Sequence, residues 1–161
     1  MPISKQYITS LYCLIGEAVC MIQHLEGALS CSITLKKDIK YPHTFTKDKA
    51  NKYLKKNQDH TLGRAIKIAS EKELYPEILL NKLKNFLNER NWLIHHFINN
   101  YLDYTNTTSN QVNPLHRIKN VSHKARELQL AIENDLIKFS ESVGVDTSNV
   151  RAVMKQLYQE A

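Results

Sequence analysis

Glycine and proline are scarce, four of each in 161 residues. With these breakers rare and Leu, Ile, Lys, Glu, Asn and Ala plentiful, the composition favours helices. Cysteine is also sparse: Cys13, Cys20 and Cys31 are odd in number and form no CxxC pair. All three fall in one predicted helix, too far apart along its axis to share a metal or to pair. They read as free thiols in a reducing cytoplasm. A long uncharged apolar run is missing. Tyr7 to Leu35 is fairly apolar but carries Glu17, His24 and Glu26, which argues against a membrane span. Met1-Pro2-Ile3-Ser4-Lys5 lacks the apolar core and cleavage site of a signal peptide. No acidic cluster of the two-metal nuclease kind is evident, so neither a metal nor a cofactor is expected. Internal repeats and linker-like stretches are absent too.

What remains is an ordinary globular balance, 42% hydrophobic and 24% charged, which excludes a disordered chain. The length suits a single domain over 1–161 with one core. The net charge of +6 favours acidic or phosphate-rich partners.

Hydrophobic periodicity predicts a first helix from Ser4 to Lys36, with Leu11, Leu14, Ala18, Ile22, Leu25 and Leu29 as its apolar stripe. Cys13, Gly16, Cys20, Gly27 and Cys31 make a second row of small residues roughly opposite. Such a helix is expected to be buried on both sides, as a core helix or as a dimer seam. Lys36 to Lys56 is a basic connection, with eight lysines against two aspartates, and holds a short helix near Lys47 to Lys56. Its lysines read as a nucleic-acid path or as solvated surface. Another short helix is predicted over Thr61 to Ser70. A long one opens at Pro76 and runs to Tyr104, with Leu79, Leu83, Phe86, Leu87, Ile94, Phe97 and Tyr101 as its stripe. Tyr104 to Asn113 reads as a loop. Pro114 to Val143, with Ile118, Ala125, Leu128, Ile132, Leu136 and Phe139 as its stripe, and Thr147 to Glu160 complete the set, with Gly144 as the stop between them. The fold class is therefore all-α: an up-and-down bundle of three long helices plus two or three short ones.

Arg90 lies in the middle of an apolar stripe, where a guanidinium is costly unless paired or open to a polar cleft. Glu17 and Glu26 are the candidate carboxylate partners. His95 falls about 140° around a regular helix from Arg90, so the two cannot meet on one straight helix. They converge only across a cleft or between two copies. Asn91, four residues before His95, is placed to fix the tautomer of its ring. These groups suit cleavage of RNA, which carries its own nucleophile in the 2′-hydroxyl. Histidine transfers protons near neutral pH, and arginine binds phosphate oxygens in a fork.

Arg90-Asn91-Trp92-Leu93-Ile94-His95 resembles the signature of the HEPN family: an Arg, a polar residue, and a His after four to six intervening positions. The resemblance covers the helical architecture and, as residues, Arg90 to His95. It implies a metal-independent endoribonuclease, often a toxin or phage-defence effector, working as a homodimer whose two motifs line one cleft. It implies Arg90, Asn91 and His95 as catalytic residues, RNA as substrate, and a nucleotidyltransferase-like antitoxin as a candidate partner. The HepT branch has a modifiable Tyr two positions after the His. Here that position is Phe97, and Tyr101, one turn on, does not match the pattern.

Overall fold

Leu11, Ala18, Ile22, Leu25, Leu29 and Ile33 recur at helical spacing, and each is at most 3% exposed. They form the inner face of α1 (Lys5–Ile33) in the structure, a computed structural model that describes residues 5–100 and 114–159. This face packs most extensively against α5 (Pro114–Ser142), whose Ile118, Val121, Ala125, Leu128 and Ile132 join the same core. Between them in sequence come α2 (Lys47–Gln58), α3 (Leu62–Glu71) and α4 (Glu77–Asn91); α6 (Ser148–Gln159) follows. No strand occurs among the described residues, and the fold is all-α. α3 and α5 both pack on α4, in keeping with an up-and-down bundle.

Local chemistry sets the boundaries. Thr46 caps α2 by accepting the Lys49 N–H, and Thr61 caps α3 by accepting the Arg64 N–H. Pro76 precedes the first turn of α4, where its missing N–H costs nothing. α5 closes at Gly144, whose φ of +83° lets the Val145 N–H reach back to the Ser140 carbonyl. Glu73 holds the same left-handed conformation after α3 at φ 50°, where a side chain is strained.

Two places depart from regular winding. α1 continues as a π-turn over Thr34–Ile39, and α4 continues as a π-turn over Trp92–Phe97 before running on to residue 100. In the second, the Ile98 N–H bonds the Leu93 carbonyl five residues back. The extra residue per turn rotates the later side chains, so Leu93 is fully buried while Ile94, expected in the stripe, is only half-buried. Tyr101, the end of that predicted helix and the Tyr104 to Asn113 loop lie outside the described residues.

The first π-turn brings Lys36 inward. Its ammonium pairs with Asp135 at 2.5 Å, donates to the Leu74 carbonyl and sits 4.6 Å from the Tyr75 ring centroid. The second face of α1 is open along its first half among the described residues. Cys13, Gly16 and Cys20 are exposed, and a methyl group added at Gly16 or Gly27 would meet nothing within 4 Å. Among the described residues, the expected burial on both sides is therefore met only toward the C-terminal end of that row, where Gly27 and Cys31 are half-buried and Glu133 of α5 lies near Cys31. Lys5–Ile39 is long and apolar enough to cross a membrane by length and composition, with 22% of its most apolar window buried. α6 likewise leaves Val150, Val153 and Leu157 at least half exposed.

Candidate functional site

On a regular α-helix, residues five apart diverge, and Arg90 and His95 would point to different sides. The π-turn cancels that divergence, because its hydrogen bonds join residues five apart and stack their side chains. Within one chain, Arg90 Nη1 lies 3.3 Å from His95 Nε2. Arginine has only donors, so Nε2 is the acceptor and the ring proton belongs on Nδ1. The convergence that sequence reasoning assigned to a cleft or a second copy is supplied here by backbone winding.

Asn91 faces a different partner from the expected one. Its Oδ1 accepts from Arg90 Nη1 at 3.3 Å, so it steadies the guanidinium rather than the His95 ring. The reason is again the π-turn, in which the residue four ahead is no longer directly above. Asn99 Nδ2 donates to the His95 carbonyl, which ties the exposed turn to the helix that follows.

Arg90 is mostly enclosed, at 23% side-chain exposure, and its Nη2 stands 3.9 Å from Glu26 Oε1 of α1. Of the two carboxylates singled out in the sequence, Glu26 is the one in reach. Burial pushes its carboxyl above the usual range, and the Arg90 charge pulls it partly back. Arg90 Nε is buried and has no hydrogen-bond partner among the described residues, which costs about 1–3 kcal/mol. The guanidinium thus sits in an apolar row with incomplete compensation, one long ion pair and two contacts through Nη1. His95 is exposed, so the pair opens to solvent at the α1–α4 edge.

Next to the pair is a brace that sequence reasoning missed. Arg117 of α5 grips Glu89 through two hydrogen bonds of 3.0 and 3.2 Å. The same guanidinium lies 3.8 Å from the Trp92 ring centroid. The Trp92 ring in turn packs on Phe97 at 5.2 Å. These contacts clamp the first and last residues of the π-turn from outside. Trp92 inside the motif was the available signal, but no periodicity links it to a residue across the following segment.

A groove of about 600 Å³ lies between α4 and α5, lined among others by Leu79, Phe86, Leu128, Lys82 and Lys124. Glu89 borders it, whereas Arg90 and His95 do not line it. No group of three metal-ligating side chains occurs among the described residues. Compared with known proteins, the chain matches no family profile, no curated protein and no solved structure.

Proposed function

We propose that the chain is a metal-independent endoribonuclease of the HEPN type, a toxin or phage-defence effector of the cytoplasm. The observation that carries this reading is the 3.3 Å approach of Arg90 Nη1 to His95 Nε2 on an open edge of the bundle. A phosphodiester entering there would take the Arg90 fork on its non-bridging oxygens and displace it from His95. The freed Nε2 then accepts the proton of the 2′-hydroxyl. O2′ bonds to phosphorus, the bond from phosphorus to O5′ breaks, and O5′ takes up a proton. Asn91 holds the guanidinium in the orientation this requires, and Glu26 limits its travel.

One copy of the Arg90–His95 pair holds one imidazole, so His95 serves as base or as acid, not as both in one step. A homodimer supplies the second copy of the motif. The exposed small residues Cys13, Gly16 and Cys20 of α1 support such an assembly, since two such faces allow close approach of helices. Any nucleotidyltransferase-like antitoxin would have to act away from Phe97, which has no hydroxyl and is 1% exposed.

The second reading is a non-catalytic HEPN-like module that binds RNA, nucleotide or a protein partner. The Arg90–Glu26 pair favours it, because an arginine already near a carboxylate has less charge left for a phosphate. One experiment separates the two. Purified protein in EDTA should cut single-stranded RNA, leaving a 2′,3′-cyclic phosphate or its 3′-phosphate product, and should spare DNA. His95→Ala should lower the rate by about 10²- to 10⁴-fold. Equal trace cleavage by wild type and His95→Ala establishes the module reading instead.

A further inference from the structure

We propose that the exposed lysine row of α2 is a docking track for the phosphate backbone of single-stranded RNA, leading toward the Arg90–His95 pair. The identity of the polyanion rests on the ribonuclease reading; the track itself rests on charge and placement.

α2 carries five lysines against one aspartate, so four of the chain's six excess positive charges sit on twelve residues. Of the eight lysines between positions 36 and 56, Lys40 is exposed on the connection before α2, and the other seven divide sharply. Lys36 and Lys37 are paired, with Asp135 and Asp38. Lys47, Lys49, Lys52, Lys55 and Lys56 are all exposed, and none has a carboxylate within ion-pair distance among the described residues. An ion-pair network is therefore not what these charges serve.

Their spacing makes a row. Lys49, Lys52 and Lys56 share one side of the helix, spanning about 10 Å along its axis. Beside them lies Tyr53, half-buried and held edge-on against Phe45 at 5.8 Å. Tyr41, 64% exposed, stands just before the helix. Cations flanked by aromatic rings suit a strand whose bases are free to stack. The exposed side of α2 is Lys, Asn, Asp and Gln with no apolar wedge, which is unlike a helix that lies in a lipid surface.

The row also has an address. Asn57, 2% exposed and next to Lys56, donates to Thr34 Oγ1 and Asp38 Oδ2, both at 2.8 Å. Its carbonyl accepts from Ser30 Oγ of α1. Glu26, the carboxylate beside Arg90, is one turn before Ser30 on the same face of α1. The C-terminal end of α2 and the Arg90 guanidinium are thus anchored one helical turn apart on a shared support.

The test uses the full chain with His95→Ala, so that RNA stays intact, and a fluorescein-labelled uridine oligonucleotide read by anisotropy across salt concentrations. Lys49→Gln/Lys52→Gln/Lys56→Gln should weaken binding and reduce the slope of log Kd against log salt by about 2, at about 0.7 per phosphate contact on a single strand. Circular dichroism should remain helical for these exposed changes. A charge-matched control, Lys82→Gln/Lys119→Gln/Lys138→Gln, should leave the slope near that of the parent. Equal losses in both triple variants would mean that net charge alone attracts RNA, and the track would fall. An unchanged slope in the α2 variant, or tighter binding to phosphatidylserine vesicles than to RNA, would overturn it as well. Binding that depends on α2 in a protein that does not cut RNA would remove the ribonuclease reading and leave the track standing.

Discussion

Arg117→Ala removes the outer clamp of the π-turn. Two losses follow from the structure. The Glu89 pair is bidentate, but its side chains are 37% and 29% exposed, so screening leaves it about 1 kcal/mol. The stack over Trp92, with the guanidinium carbon 3.8 Å from the ring centroid, adds about 0.5–1 kcal/mol. Together they come to roughly 2 kcal/mol, a fall in Tm of about 4–8 °C for a domain of this size. The effect should also be local. The Ile98 amide, bonded to the Leu93 carbonyl, should exchange faster relative to core amides such as Leu29 and Ile132. Arg117→Lys, which keeps the charge but not the fork, should lose about half as much. Thermal melts and amide exchange by NMR make the measurement. If Arg117→Ala melts within a degree of wild type and leaves Ile98 protection unchanged, the clamp does not hold the π-turn.

Glu73→Gly should raise stability by about 0.5–1 kcal/mol in denaturant melts, because glycine takes the left-handed conformation at φ 50° without strain. Hydrogen bonds from Arg151 and Thr147 hold the Glu141 carboxyl down at about 2, below the usual 4.5. A depressed carboxyl stabilises above the unfolded value, so attachment of α6 should weaken as pH falls from about 4.5 through about 2, and Glu141→Gln should abolish that dependence in amide exchange. Alkylation followed by mass spectrometry should mark Cys13 and Cys20 first and Cys31 last, since burial and nearby Glu133 raise the Cys31 thiol; equal rates at all three would contradict it.

The helices were legible because burial follows a period that composition writes openly. Leu11 through Leu29 and Ile118 through Ile132 predicted both long core faces, and Thr46 and Thr61 cap as their chemistry prescribes. The Arg90–His95 site was legible as residue types but not as geometry. Periodicity assumes uniform winding, and nothing in Trp92 to Phe97 announces an i→i+5 turn. The rest depended on side-chain partners distant in sequence. Glu89 meets Arg117, and Lys36 meets Asp135, across segments whose relative placement no local pattern encodes. Asn91 was assigned to His95 by straight-helix geometry, and the same turn redirected it to Arg90.

Winding that changes by one residue per turn makes spacing in a sequence an unreliable ruler of distance in space. In a regular helix, an arginine and a histidine four apart share a face. Here a pair five apart does so as well, because Trp92–Phe97 absorbs the added residue. Deletion of one residue inside this turn would therefore be accommodated by a return to regular winding, leaving the arginine–histidine pair in place. A pattern search fixed to one interval would divide such chains into separate groups although their side chains make the same constellation. Grouping by the distance between guanidinium and imidazole, rather than by the count of residues between them, would bring them together.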